Sequence, residues 1–142
     1  MRVVLDGDVL VAAVRSRRGA SAAWLRAVLH GEAQILVSVP LVLHHESVLL
    51  RPEQRATSFL TTVELAALLD AIAVIGSPVI ISYLWRPMLR DPNDELVLET
   101  AVNGQADLLL TFNERDFAGT ERFAFRVRRP GPAWREWLEA RV

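Results

Sequence analysis

The sequence contains no cysteine and no lysine, and each absence excludes a kind of chemistry. Without cysteine, disulfide bonds, thiol catalysis and cysteine-ligated zinc are excluded. Without lysine, all 16 basic residues are arginine, a side chain that pairs bidentately with phosphate and stacks on bases. A bias across the whole chain is also what genome composition produces, so it does not by itself indicate RNA binding. Because the net charge is −1 at pH 7, attraction to nucleic acid has to come from local clusters.

Long apolar runs are also missing. No run approaches the roughly 18 residues that span a membrane, and the longest candidate, residues 72–85, is interrupted by Gly76, Ser77 and Pro78. The first residues, MRVVLDGD, reach a carboxylate after three apolar residues, which is not the pattern of a signal peptide. With 142 residues, 51% of them hydrophobic, we expect a single domain over residues 1–142, located in the cytoplasm and without a membrane partner.

Short apolar segments alternate with helical patterns along the chain. We predict strands at residues 3–5, 34–38 and 108–111, and further strands at 73–75 and 125–127. Helices are predicted after residue 8, at about 21–30, 41–50, 63–71 and 92–103, and from 132 onward, with N-caps at Ser21, Thr62 and Asp91. This alternation predicts an α/β fold with a parallel sheet that helices cover on both faces.

Acidic residues lie at the edges of three apolar segments: Asp6 with Asp8, Glu46, and Asp91 with Asp94. Ligands of parallel sheets bind beyond the carboxyl ends of the strands, and Asp6 directly follows a predicted strand. Glu46 and Asp94 lie on predicted helices that we expect to border the same crevice. If the fold brings these carboxylates together, a divalent metal has to neutralise them, which predicts a metal-dependent catalytic site.

Many of these polar residues also have an ordinary structural interpretation. Asp8 is predicted to cap the helix that follows it, and Asp91 to cap a later helix. His44 and His45 precede Glu46, but the HExxH zinc pattern is absent and adjacent helical residues point in different directions, so we assign both to surface or hydrogen-bonding roles. The four tryptophans are assigned to the core or an interface. The remaining acids and amides are assigned to solvent or ordinary loop structure: Glu95, Glu99, Asn113 and Asp116.

Three segments of the chain carry a family resemblance. They are MRVVLDGDVLVAAV at the start, LVSVPLVLHHESVLLRP in the middle and RDPNDELVLETAVNGQADLLLTFNERDF near the end. In order and spacing they resemble PIN domains over roughly residues 1–130, in particular the VapC-like ribonuclease toxins of toxin–antitoxin systems. The resemblance implies a Rossmann-like, three-layer α/β/α fold with a central parallel sheet and a Mg²⁺- or Mn²⁺-dependent ribonuclease activity.

The resemblance also implies roles for individual residues. By position, Asp6, Glu46 and Asp94 match the principal acids of the family. Asp6 and Asp94 would then hold one metal ion, and Glu46 would hold a second metal ion or orient the water. Further metal-site positions, including one where the family has Asp or Asn, are matched by Asn113 and Asp116.

The expected partners follow from the same resemblance. RNA is the implied substrate, and an arginine cluster after the first helix is expected to contact its flanking phosphates: Arg15, Arg17 and Arg18. An antitoxin protein is the implied partner. We also expect a homo-oligomer, a dimer, from the apolar content of the chain.

The chain departs from the family pattern at two places, which leaves one alternative function open, and its Asp-x-Asp motif directly after an apolar strand leaves a second. Residues 6–8 read Asp-Gly-Asp where Asp-Thr-Asn is usual, and Gln105 stands where glycine is usual. A degenerate PIN domain would bind RNA or an antitoxin without cleavage. A haloacid-dehalogenase-type phosphatase would use Asp6 as nucleophile and Asp8 as general acid, although the chain is short and has no lysine for that family's later motif.

Overall fold

The computed structural model describes residues 1–83 and 88–141, and a parallel β-sheet forms its centre. The strands are β1 (Arg2–Leu5), β2 (Gln34–Val37), β3 (Ser77–Pro78), β4 (Leu108–Leu110) and β5 (Arg126–Arg128). In the order β3-β2-β1-β4-β5, every neighbouring pair is parallel. The predicted α/β fold class is therefore confirmed.

Helices connect the strands and pack on both faces of the sheet. They are α1 (Gly7–Arg15), α2 (Ala20–Leu29), α3 (Val39–Leu49), α4 (Pro52–Thr57), α5 (Thr62–Ile75), α6 (Pro92–Asn103) and α7 (Pro130–Ala140), with a 3₁₀ helix at Glu114–Phe117. Within residues 1–83 and 88–141, no helix has both the length and the apolar character needed to cross a membrane.

The alternation of side chains along β1 explains the three layers. Val3 and Leu5 belong to one core cluster with residues of α1, α2, α5 and α7, whereas Val4 belongs to a second cluster with residues of α6. Successive side chains of a strand point to opposite faces, so a fully apolar strand is buried on both sides. The predicted three-layer α/β/α arrangement is confirmed.

The direction of the chain across the sheet places a crevice beside β1. After β1 the chain builds β2 and β3 on one side, and then crosses to build β4 and β5 on the other. Leu5 pairs with Leu110, and the backbone N–H of Asp6 donates to the Leu110 carbonyl at 2.9 Å. Asp6 and Thr111 therefore leave adjacent strands side by side, at the point where ligands of such sheets bind.

Two predicted helix caps were wrong by one or two residues. Gly19 is the N-cap of α2, and Ser21 lies buried inside that helix. Thr61, rather than Thr62, caps α5. Its hydroxyl accepts from the N–H of Glu64 at 3.1 Å, and the Glu64 carboxylate accepts from the N–H of Thr61 at 2.9 Å. This reciprocal capping box fixes the start of α5.

The predicted strand at residues 73–75 was also wrong, because α5 continues to Ile75. The strand follows as β3, and Gly76 makes that register possible. A Cβ atom on Gly76 would lie 2.7 Å from Cγ2 of Val37, so a side chain there would clash with β2. Trp85, one of the tryptophans assigned to the core or an interface, lies outside the described residues.

Gln105, which stands where the family has glycine, ends α6 in a left-handed conformation with φ of 52°. This conformation costs a non-glycine residue about 1–2 kcal/mol. We expect Gln105→Gly to raise the free energy of unfolding by about 0.5–1 kcal/mol, since Gln105 is exposed and loses no packing. Urea unfolding measures this, and Gln105→Ala, which keeps the Cβ atom, should show no such gain. An equal gain in both variants would contradict the backbone explanation.

Candidate functional site

Asp6 lies at the carboxyl end of β1, where its carboxylate is held from two sides. It is 8% exposed and is the N-cap of α1. One carboxylate oxygen accepts from the N–H of Gly7 at 2.7 Å, and the other accepts from the hydroxyl of Thr111 at 2.8 Å. Burial raises the pKa of Asp6, while these two hydrogen bonds act in the opposite direction. The fold thus orients a buried carboxylate at the edge of the sheet.

Asp8 bridges α1 to the segment that follows β4. Its Oδ2 accepts from the backbone N–H of Phe112 and from the side-chain amide of Asn113, both at 3.1 Å. Its Oδ1 is buried and has no hydrogen-bond partner in the part of the chain that the structure describes. Burial, followed by repulsion from Asp6, raises the pKa of Asp8 to about 6. The predicted capping role was wrong, because the N-cap of α1 is Asp6.

Asp91 and Asp94 stand at the start of α6, as the capping pattern predicted. The Asp91 carboxylate accepts from the N–H of Asn93 at 2.9 Å, which confirms its role as the cap. Asp94 is half-buried on the first turn of the helix. A buried residue on the same turn, Glu95, accepts from the backbone N–H groups of Met88 and Leu89 at 3.0 and 3.2 Å.

The predicted exposure of Glu95 and Glu99 to solvent was wrong. Both were assigned to solvent, yet they are 3% and 2% exposed. The two N–H groups that Glu95 binds belong to a segment without regular structure, which offers them no ladder partner. Glu95 therefore fixes the backbone that leads into Asp91 and Asp94.

Four aspartates from three separate chain segments form one electrostatic unit, which we call the acidic cluster: Asp6, Asp8, Asp94 and Asp116. The pKa of Asp94 is raised to about 7, first by burial and then by repulsion from Asp6, Asp91, Asp116 and Asp8. Asp116 also raises the pKa of Asp6. A carboxylate whose charge raises the pKa of another acid is close enough to repel it.

One cleft contains Asp94, Asp116 and two arginines. Asp116 is exposed on the 3₁₀ helix, and it lines the cleft with Asp91, Asp94, Arg90 and Arg115. The two arginines did not stand out in the sequence because each is isolated from other basic residues. Their position beside the acids became visible only when α6 and the segment after β4 were placed together.

Glu46, the third predicted acid, interacts less with the acidic cluster than the four aspartates do with one another. Its side chain is exposed on α3, and it is not among the main charges that shift the pKa of Asp6, Asp8 or Asp94. His44 faces this region instead. A Cβ atom at Gly7 would lie 3.6 Å from Nε2 of His44, and the charge of His44 lowers the pKa of Asp6.

His45 has the hydrogen-bonding role that the sequence predicted. It is 1% exposed, and its Nε2 donates to the carbonyl of Leu5 at 2.8 Å. Burial lowers the pKa of His45 to about 4, so the ring is neutral near pH 7. His45 thus anchors α3 to the end of β1, directly before Asp6.

The predicted RNA-binding arginines have different surroundings. Arg15 donates to Thr57 and Gln54 of α4 at 2.9 and 2.6 Å, and it lines a depression that also contains Asp8. Arg17 stacks on the ring of Phe59 at 4.2 Å from its centroid. Arg18 is exposed. Arg15 thus shares a surface depression with Asp8, a member of the acidic cluster.

The acidic cluster fits a divalent cation at an open site. Among residues 1–83 and 88–141, no group of three or more His, Asp or Glu side chains is arranged so that it could hold a metal ion. Mg²⁺ usually binds through one or two carboxylates and completes its shell with water and substrate phosphate. The unpartnered, buried Oδ1 of Asp8 and the raised pKa of Asp94 are what such a cation would relieve.

The raised pKa of Asp94 has a consequence for the stability of the metal-free protein. The folded state keeps a proton on Asp94 up to about pH 7, whereas the unfolded state loses it near pH 4. The stability that this proton gives is therefore present below pH 4 and is lost as the pH rises through 7. We expect Asp94 to lower the free energy of unfolding by less than about 1 kcal/mol between pH 6.5 and 8, after allowing for solvent screening.

Urea unfolding in chelator at pH 6.5 and 8 measures this effect, with Asp94→Asn as the control. His45 contributes with the opposite sign, because its pKa is lowered in the folded state. The difference between the two proteins therefore isolates Asp94. Equal pH slopes in both proteins would contradict the electrostatic account of the cluster.

The comparisons with known proteins identify the family and agree with the fold. Residues 2–115 match the PIN domain. Among solved structures, the crystal structure of VapBC2 from Rickettsia felis bound to a DNA fragment from their promoter is similar, with a TM-score of 0.56 and 16% identity over 91% of this chain and 98% of that chain. No curated protein sequence matches the chain significantly. Because the family match covers most of the sequence, the chain belongs to the PIN domain family.

Proposed function

We propose that this protein is a metal-dependent endoribonuclease that hydrolyses RNA phosphodiester bonds with Mg²⁺ or Mn²⁺ held by aspartates. The acidic cluster carries the proposal. Asp6, Asp8, Asp94 and Asp116 come from three segments and lie near one another at the carboxyl edge of the sheet, where the charges of neighbouring members help to raise the pKa values of Asp6, Asp8 and Asp94. Membership of the PIN domain family supports a nuclease.

The residues of the cluster have distinct roles in this proposal. Asp6 and Asp94 bind the cation, and the Thr111 hydroxyl orients Asp6 through its 2.8 Å hydrogen bond. A divalent cation, when bound, favours deprotonation of water near neutral pH and offsets charge that develops on the phosphoryl group. Asp116 borders the cation site from the 3₁₀ helix, and Glu46 acts from outside it by orienting water.

Arginines around the site would bind the RNA backbone. Arg90 and Arg115 line the same cleft as Asp94, and in this proposal they contact the phosphates next to the cleaved bond. Arg15, at the far end of α1, is about 12 Å along the helix axis from Gly7, so it would contact a phosphate further along the strand. We propose that Arg17 and Arg18 also contact phosphates further along the RNA strand.

We also propose that the protein is the toxin of a toxin–antitoxin pair and forms a dimer. The likeness to VapBC2 supports an antitoxin partner. Several large apolar side chains are exposed on α3 and α5, among them Val39 at 74%, Leu43 at 59% and Val63 at 79%. Such side chains suit a protein–protein contact.

The test is a cleavage assay on a mixed RNA pool with chelator, Mg²⁺ or Mn²⁺. We expect cleavage only with a divalent cation. Glu46→Gln should lower the rate less than His44→Ala, because His44 faces Gly7 and Asp6 whereas Glu46 is exposed. Cleavage that persists in chelator would overturn the proposal.

Two other outcomes have a defined meaning. Mn²⁺ binding without cleavage of any RNA would indicate a degenerate PIN domain that binds RNA or an antitoxin. Covalent phosphorylation of Asp6 would indicate the haloacid-dehalogenase-type phosphatase, an alternative that none of the comparisons supports.

A further inference from the structure

Asp8 is the member of the acidic cluster whose role the proposed function leaves open, and the inference below rests on that function. We infer that Asp8 is a metal-binding carboxylate of this site, and that Asn113 is not a metal ligand but a positioning residue that holds Asp8 in place. The sequence resemblance instead places Asn113 among the metal-site residues and gives Asp8 no metal-binding role. The contacts of the two side chains are the reason for exchanging their roles.

The hydrogen bonds of Asn113 are directed to Asp8 and to the turn after β4. The side-chain amide of Asn113 donates to Oδ2 of Asp8 at 3.1 Å, and its backbone N–H donates to the hydroxyl of Thr111 at 3.1 Å. Thr111 in turn donates to Asp6 at 2.8 Å. Asn113 is exposed, so its contact with Asp8 orders a side chain that solvent would otherwise leave free.

The two carboxylate oxygens of Asp8 have unequal surroundings. Oδ2 accepts from the N–H of Phe112 and from Asn113, whereas Oδ1 is buried and has no hydrogen-bond partner within residues 1–83 and 88–141. A buried carboxylate oxygen without a donor costs free energy, and a cation is the partner that would remove this cost. The bonds at Oδ2 fix the direction in which Oδ1 points.

The position of Asp8 brings its carboxylate close to that of Asp6. Asp8 lies two residues after Asp6, and the hydroxyl of Thr111 lies 2.8 Å from an oxygen of Asp6 and 3.5 Å from Oδ2 of Asp8. The two carboxylates therefore flank one hydroxyl. Two carboxylates that lie on either side of one hydroxyl group repel each other unless a cation lies between or beside them.

A purely structural role for Asp8 makes the opposite prediction for Mn²⁺ affinity. If Asp8 only ties α1 to the segment after β4 through its contacts with Phe112 and Asn113, Asp8→Asn changes the melting temperature of the metal-free protein while Mn²⁺ affinity is kept. If Asp8 binds the metal, Mn²⁺ affinity falls, whatever the same substitution does to the melting temperature in chelator.

The experiment titrates the metal-free protein with Mn²⁺ and follows free Mn²⁺ by electron paramagnetic resonance, alongside the melting temperature in chelator. We expect Asp8→Asn to weaken Mn²⁺ binding at least about tenfold, and Asn113→Ala to weaken it about tenfold. Asn113→Ala should have no further effect in the Asp8→Asn background, because a positioning residue acts through its partner. Asp70→Asn, which removes one exposed negative charge from α5, is the matched control and should bind as the unmodified protein does.

The failure of this inference is distinguishable from the failure of the proposed function. If Asp94→Asn weakens Mn²⁺ binding and Asp8→Asn does not, the cluster is a metal site and the inference alone is overturned. Additive effects of Asp8→Asn and Asn113→Ala would overturn the positioning role of Asn113. If neither Asp94→Asn nor Asp8→Asn changes Mn²⁺ binding, the cluster is not the metal site, and the proposed function fails together with the inference.

Discussion

Replacing Asp94 by Asn is expected to reduce metal-dependent cleavage of RNA at least about 100-fold. Asn has nearly the same shape and keeps the position on the first turn of α6, so the local structure should persist. The substitution removes the carboxylate whose pKa is raised to about 7 by burial and by four neighbouring aspartates. The negative charge of Asp94 is unfavourable in the metal-free protein, and it is the charge that would bind a cation.

The measurement is the initial rate of cleavage at saturating Mn²⁺, compared with the rate at limiting Mn²⁺. Loss of a metal ligand lowers the rate most at limiting Mn²⁺, whereas loss of a group that acts only on RNA lowers it equally at both concentrations. Asp91→Asn is a suitable control because Asp91 caps the same helix and its carboxylate is already used by the N–H of Asn93. Undiminished cleavage by Asp94→Asn would contradict the assignment of Asp94 to the metal site.

The positions of the first acid and of the α6 acids could be predicted from local sequence. A β-branched run that ends in Asp6 specifies a buried strand and its carboxyl end. The sequence Asp91-Pro92 specifies the start of a helix, because aspartate is a preferred N-cap and proline is tolerated in the first turn. The structure has β1 at Arg2–Leu5 and α6 at Pro92–Asn103. Local patterns of this kind act over a few residues and are visible in one sequence.

The contacts that complete the site join residues more than 100 positions apart, and local patterns carry no information about them. Thr111 donates to Asp6 across 105 positions, and Asn113 donates to Asp8 across the same interval. The pairing of β1 with β4 creates both contacts at once. The burial of Glu95 was missed for a related reason: an acid is expected in solvent unless backbone donors surround it, and the donors of Met88 and Leu89 appear only in the folded chain.

The helix that carries Glu46 shows that a correctly predicted helix does not by itself determine which of its side chains faces α1. α3 was predicted at about the right residues, and it runs from Val39 to Leu49. Residues 44 and 46 differ by about 200° around a helix, so only one of them can face α1. Close packing decides which one, and His44 is the residue that contacts the position of Gly7.

Replacing Trp24 by Ala is expected to lower the free energy of unfolding by about 3–5 kcal/mol, the typical cost of deleting a buried tryptophan. Trp24 is fully buried on α2 and joins this helix to α7. Its ring stacks on Trp137 at 5.1 Å between centroids and meets the edge of Trp134 at 5.2 Å, and its Nε1 donates to the carbonyl of Pro130 at 3.0 Å. The PIN domain match ends at residue 115, so α7 lies beyond it and is held to the matched part of the chain by this ring.

Urea unfolding of the metal-free protein separates the two contributions of Trp24. Trp24→Phe keeps an aromatic ring between the helices but loses the N–H donor, and it should cost about 1–3 kcal/mol, less than Trp24→Ala. Since Trp24 belongs to the core cluster on the α1, α2, α5 and α7 side, and the acidic cluster lies at the carboxyl edge of the sheet, the folded variants should keep their Mn²⁺ affinity. A domain of this size is stable by only about 5–15 kcal/mol, so the expected loss is a large share of the total. A cost below about 1 kcal/mol for Trp24→Ala would contradict this prediction and would mean that the packing of α7 on α2 contributes little to the stability of the fold.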